Sequence, residues 1–196
     1  SAYNNMINNI LHESELASFL NLVYSYVYQL GDIDNFSLCL CDHWKDVESN
    51  PDVVPDEVGM TKRIVRAVSY GNDGSPNKTG TEEIFDRRML VPQLKRRGKP
   101  RAFFFTPLYD ENRVFGYGVI SYGNRARTYD RSYCRWMNLV GVGFEGLRRN
   151  NLIKLYEKTS QTSPAIYTGK AQDILLSPEE RQEYDLTAKI LDENTT

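Results

Sequence analysis

Apolar, aromatic and β-branched positions are densest over residues 102–109 and 114–122, on either side of the polar linker Asp110-Glu111-Asn112-Arg113. Two such runs joined by a turn-forming linker predict an antiparallel hairpin. Gly116 and Gly118 fall inside the second run, where glycine weakens a strand unless something must approach its backbone closely. Residues 129–158 then predict a helix long enough to lie across the sheet, with Trp136, Val140, Gly143, Phe144 and Leu147 on one stripe.

Upstream, residues 3–30 read as helix, since Leu16, Phe19, Leu20, Val23, Val27 and Leu30 recur at spacings of three and four. Ile7, Ile10 and Leu11 extend the stripe. A break near His12 makes Ser14 the expected cap of a second segment, and Gly31 ends it. Residues 36–41 predict a strand with Phe36, Leu38 and Leu40 on one side and Ser37, Cys39 and Cys41 on the other. Residues 42–60 read as loop and 61–70 as a second strand. The run GNDGSPNKTG at 71–80 is a strong breaker, and residues 82–94 have a short helical character interrupted by Pro92.

After residue 158 the composition shifts to Ser, Thr, Gln and Pro, so we divide the chain into a domain at 1–158 and an extension at 159–196. Within the extension, Ser177-Pro178-Glu179-Glu180 has the pattern of a helix start and predicts a short amphipathic helix near 178–191. The helical pattern begins at once after Ser1, which reads as a fragment of a longer polypeptide.

The totals narrow the function classes. A chain of 196 residues, 40% hydrophobic and 26% charged, suits one soluble domain with extensions. A formal net charge of -2 gives no general pull toward nucleic acid or membrane. No apolar run approaches the roughly 20 residues needed to span a bilayer, and no signal-peptide pattern opens the chain. Cys39, Cys41 and Cys134 are odd in number and lack CxxC spacing, which fits reduced thiols in a cytoplasmic protein.

Candidate chemistry is sparse. The two histidines, His12 and His43, show no catalytic-triad order or metal-ligand spacing with acids. Thiol chemistry at Cys39 or Cys41 needs a lowered pKa, whereas cysteine is also among the most commonly buried residues. Between Asp86 and Arg101 lie seven basic residues, Arg87, Arg88, Lys95, Arg96, Arg97, Lys99 and Arg101. They read either as a solvated face beside an edge strand or as the rim of an anion pocket. Of Phe103, Phe104 and Phe105, alternation sends Phe104 away from the other two.

The hairpin residues carry a family resemblance. Phe105-Thr106-Pro107-Leu108, a four-residue turn and Val114-Phe115-Gly116-Tyr117-Gly118-Val119-Ile120 resemble the VPL…GVL signature of GAF domains. Phe36-Ser37-Leu38-Cys39-Leu40-Cys41 resembles that family's first strand, and Met89-Leu90-Val91-Pro92 a segment common in GAF-type sensors of bacterial signalling proteins. The resemblance covers about residues 5–158. It implies an α+β fold with a central antiparallel sheet of five to six strands. Long N- and C-terminal helices would cover one face, and pocket-forming loops and short helices the other.

A non-catalytic sensory domain is implied, binding a small ligand or acting as a dimerising transmitter through its terminal helices to an attached output domain. The expected ligand-binding group is Cys39, Cys41, Arg66, Phe104, Thr106, Tyr117 and Val119; the cofactor is left open, and no metal, nucleic-acid or membrane partner is indicated. The chain departs from its relatives after Lys158, where neither a GGDEF-type cyclase motif nor a helix-turn-helix follows. A small thiol-based redox enzyme of the same fold and a pure interaction module are the competing readings.

Overall fold

The four strand segments expected from the sequence, with a fifth formed by residues 78–86, pair into one antiparallel sheet. The computed structural model describes residues 2–53, 59–71, 78–95, 102–122 and 128–161. The strands are β1 (Asn35–Cys41), β2 (Arg63–Gly71), β3 (Lys78–Asp86), β4 (Phe103–Asp110) and β5 (Arg113–Ser121), in the order β3-β2-β1-β5-β4. With β2 on one side and β5 on the other, β1 is the central strand, and all seven of its residues are buried. The helices are α1 (Ala2–Leu11), α2 (Leu16–Ser25) and α3 (Arg131–Gln161). The fold class is therefore α+β. The chain divides into two compact units at 1–155 and 156–196, and of the second only helix residues 156–161 are described. The expected helix at 178–191 lies outside the described residues.

Two elements differ from expectation. Residues 82–86 are not helical: they belong to β3, where Arg66 pairs with Glu83 and Ile64 with Phe85. Alternation along this strand buries Phe85 and leaves Glu82 and Ile84 exposed. Cross-strand pairing overrides the helical preference of Glu82 and Glu83, as tertiary context commonly does with local propensity. Short 3₁₀ turns at Arg87–Met89 and Pro92–Lys95 follow.

The N-terminal segment breaks near His12 as expected, but its cap differs. It forms two short helices, and Ser14 does not cap the second. The Lys154 ammonium donates to the Ser14 hydroxyl at 2.6 Å, and the Asn151 side-chain amide donates to the Ser14 carbonyl at 2.8 Å. The cap position falls to Glu15, which makes no side-chain cap bond. The backbone N–H of Leu16 instead donates to the Glu48 carboxylate. Glu145 and Arg148, both almost fully buried on α3, pair through two hydrogen bonds of 2.8 and 2.9 Å, and Arg148 also donates to the Pro51 carbonyl.

The hairpin sets the register of everything beside it. Asp110 pairs with Arg113 across the two-residue turn Glu111-Asn112, where Glu111 adopts a φ of 46°. Tyr109 pairs with Val114, but Leu108 pairs with Gly116, so Phe115 is an extra residue on β5. This bulge turns Phe115 into the aromatic cluster of Trp44 and Phe144, at centroid distances of 5.2 and 4.8 Å. The Trp44 indole N–H donates to the Val114 carbonyl at 3.0 Å. Beyond the bulge Thr106 pairs with Gly118 and Phe104 with Ile120.

Gly116 and Gly118 permit two different close approaches. A Cβ on Gly116, whose φ is +152°, would sit 1.9 Å from the Cys39 carbonyl oxygen. A Cβ on Gly118 would sit 2.4 Å from the Met137 sulfur, since α3 crosses the sheet here with Met137 and Tyr133 over β5. Trp136 meets Phe36 edge-on at 5.2 Å, and α2 reaches β2 through Tyr24 and Tyr70 at 6.1 Å.

Backbone cannot yield as the end of a methionine can. Gly116→Ala is therefore expected to destabilise the domain by about 3 kcal/mol or more, and Gly118→Ala by about 1–2 kcal/mol. Urea unfolding of the two variants checks the order, and equal losses would contradict the backbone contact at Gly116.

Candidate functional site

Strand alternation assigns the side of the sheet that carries Ser37, Cys39 and Cys41. Cys39 pairs with Tyr117 on β5 and with Arg66 on β2, and Ser37 pairs with Val119. Arg66 reaches this side because β2 also carries a bulge: Leu38 pairs with Val68, yet Cys39 pairs with Arg66, leaving Ala67 as the extra residue. Cys39, Arg66, Tyr117 and Val119 are thus brought together. Cys41 lies on the same side at the end of β1, opposite Ile64 and close to Thr61.

Phe104 and Thr106 do not join them. Their partners, Ile120 and Gly118, face α3, and Thr106 shares a 2.8 Å hydrogen bond with the hydroxyl of Tyr129, whose ring also lies 6.0 Å from Phe104. Counted outward from the turn without a bulge, Thr106 falls opposite Tyr117 and Phe104 opposite Val119. The single extra residue at Phe115 reverses both, because a one-residue slip moves every side chain to the other face. Phe105 takes the expected place of Phe104, with its ring 5.9 Å from Tyr117.

The turns after β3 lie over this group. The Tyr117 hydroxyl donates to the Leu90 carbonyl, and Val91 is buried. Leu90 holds a φ of 58°, a conformation that costs a branched side chain about 1–3 kcal/mol and clusters at ligand clamps and switch regions. Arg87 and Arg88 serve this segment locally: Arg87 donates to the Met60 carbonyl at 2.6 Å, and Arg88 binds Asp86. Hydrogen bonds from Arg88 hold the Asp86 carboxyl down to about 2. Lys95 ends the second 3₁₀ turn, and the four remaining basic residues, within 96–101, lie outside the described residues.

Arg66 is the buried charge of the group. Its side chain is 8% exposed, and its Nε and Nη2 both donate to one oxygen of Glu83, at 2.8 and 2.5 Å. Its Nη1 is buried with no hydrogen-bond partner. Glu83 and Phe105 are members of the site that the sequence reading missed. The signal for Glu83, an acid set to pair with Arg66, becomes visible only once 78–86 is recognised as a strand.

Burial pushes the Cys39 thiol up to about 12, outweighing the opposing pull of the Arg66 charge and the neighbouring Tyr117 hydroxyl. Burial also raises Cys41, against hydrogen bonds from Thr61. Both therefore stay protonated near neutral pH, the unreactive form of a thiol. His12 is exposed at the end of α1, and His43 packs beside Trp44 at 4.7 Å, where burial lowers its pKa. Among the described residues no cluster of three or more His, Cys, Asp or Glu side chains could hold a metal ion, and no helix is long and apolar enough to cross a membrane. Comparison with known family models, curated proteins and solved structures gives no match for the chain.

Two outcomes follow from these contacts. Removing the acid strands a buried guanidinium, whereas removing the base leaves a carboxylate that water can reach. Glu83→Gln is expected to cost about 1–3 kcal/mol and Arg66→Met under about 1 kcal/mol; the reverse order in urea unfolding would refute the asymmetry. In native protein at mildly alkaline pH, an aromatic disulfide reagent is expected to modify the half-buried Cys134 first, and Cys39 and Cys41 only on unfolding. Rapid native-state modification of Cys39 would overturn its assignment as a packed thiol.

Proposed function

We propose that the chain is a GAF-type sensory domain of a multidomain bacterial signalling protein, regulatory rather than catalytic. It takes a small ligand on the Cys39–Tyr117 side of its sheet and acts on an attached output domain through a dimer made by its helices. The observation that carries this reading is the unequal treatment of the two sides of β5. Gly118 and Ile120 lie under α3 and its neighbours, while Tyr117 and Val119 share the other side with a buried, incompletely paired arginine and a segment strained at Leu90. Small-molecule sites usually combine apolar side chains with a few fixed polar groups, and this side of the sheet supplies both kinds.

The GAF-like hairpin and the long helix following it support the same reading. Exposed Val142 and Ile153, three helical turns apart on one stripe of α3, support the dimer. Thiol chemistry finds no such support, given the protonated and buried state of Cys39.

In solution the domain is expected to have the mass of a dimer, and a Val142→Glu/Ile153→Glu variant the mass of a monomer, by light scattering. Thermal shift against nucleotides, amino acids and organic acids is expected to find a stabilising compound whose effect is lost in Tyr117→Ala. A dimer that no compound stabilises would reduce the domain to a spacer, and a wild-type monomer would remove the proposed route to the output.

A further inference from the structure

The outer end of the same side of the sheet, over β2 and β3, holds a cleft of about 370 Å³ lined by Arg66, Ser69, Lys78, Thr79, Glu82 and Glu83. Such a volume suits a small metabolite. Four of these six residues carry charge, two of each sign, so the cleft as a whole is neutral. A polyanion gains little there, because Glu83 already pairs with Arg66 and the two acids balance the two cations.

Arg66 shows what part of a guest it would take. Glu83 occupies only the Nε/Nη2 edge of the guanidinium and uses a single oxygen to do so. Nη1 keeps its two N–H donors without an acceptor, in a side chain more than nine-tenths buried. A buried charged donor without a partner is costly, and a planar fork of this kind matches a carboxylate. The second oxygen of Glu83 carries no hydrogen bond to any described residue, and Glu83 and the exposed Glu82 offer acceptors to a cation at the same cleft.

We propose that this cleft binds a small zwitterion of the α-amino-acid class, its carboxylate on Arg66 and its ammonium on Glu82 and Glu83. The assignment rests on the reading of the chain as a ligand-binding sensory domain and supplies the ligand's chemistry. A free carboxylate satisfies Arg66 but leaves the acids unmatched, and a free amine does the reverse. The ligand therefore needs both groups on one small frame.

The test is calorimetric titration and thermal shift of the full chain with the common L-α-amino acids. Their deaminated acids, their decarboxylated amines and inorganic phosphate serve as separate arms. At least one amino acid is expected to bind saturably and raise the melting temperature, with both truncated analogues about tenfold weaker or worse. Arg66→Met is expected to weaken binding at least as much. The exposed Glu82→Gln should weaken it while leaving the melting temperature of the free protein unchanged, which separates loss of the ligand contact from loss of the fold.

Phosphate or an amine-free acid binding as tightly as the amino acid would overturn the proposal, as would full affinity in Arg66→Met. If a nucleotide stabilises the domain and no amino acid does, the ligand class is wrong and the sensory reading stands. If nothing binds, both fall.

Discussion

No side chain fits at Gly116, because the Cys39 carbonyl oxygen of the neighbouring strand occupies the place where a Cβ would go. That contact sits at the bulge of β5 and permits the central strand pair to close. Phe115, the residue left over, swings into the cluster of Trp44 and Phe144 and anchors the start of β5 to the middle of α3. Glycine alone combines a φ of +152° with so near a backbone. The bulge therefore determines where α3 is fastened and which side chains of the hairpin look away from it.

The partition of the sheet follows. On one side the ring of Trp136 meets Phe36, and Met137 lies over Gly118, where the missing side chain lets the helix settle at contact distance. On the other, β1 and β2 present Cys39 and Arg66, and the second bulge at Ala67 is what brings the arginine there. Bulges commonly re-aim a side chain next to a functional site. Here two of them act on opposite sides of β1, one admitting a buried cation and the other removing Thr106 and Phe104. The polar character of this side is thus a product of register, since the same residues paired without bulges would place Arg66 against the helices.

This dependence on register explains what could be read from the sequence. Both hairpin strands, β1, β2 and α3 were legible because period-two and period-3.6 patterns there are long and uninterrupted. The meaning of Gly116 and Gly118 was legible too, as a demand for close approach. The bulges were not, because Phe115 and Ala67 look like any other strand residues, and what makes them extra is the partner strand. Hence Phe104 was assigned where Phe105 belongs. β3 was hidden for a related reason: its charged, half-exposed sequence acquires strand character only from the pairing of Glu83 and Phe85 with β2. The break in the N-terminal helix was visible at His12, but its fastening was not. The linker is held by Asn151 and Lys154 from more than a hundred residues away, and no local capping rule contains that information.

The alternation of β5 bears on how a bound molecule would be felt at a distance. Tyr117 and Gly118 are adjacent, so the side chain held by the Leu90 carbonyl and the bare backbone beneath Met137 belong to consecutive residues. Close-packed interiors do not absorb small displacements, and at Gly118 no side chain intervenes between strand and helix to take them up. Under the proposed function, a ligand that drew Tyr117 away from Leu90 would disturb the floor on which α3 rests. It can shift the equilibrium between two helix positions only by as much as its affinity for them differs. In that reading the φ of 58° at Leu90 would supply the difference, since a state in which Leu90 relaxed would gain back the cost of the turn. Site and helix are joined through one strand, and the glycine that lets α3 approach so closely is also what makes the joint stiff.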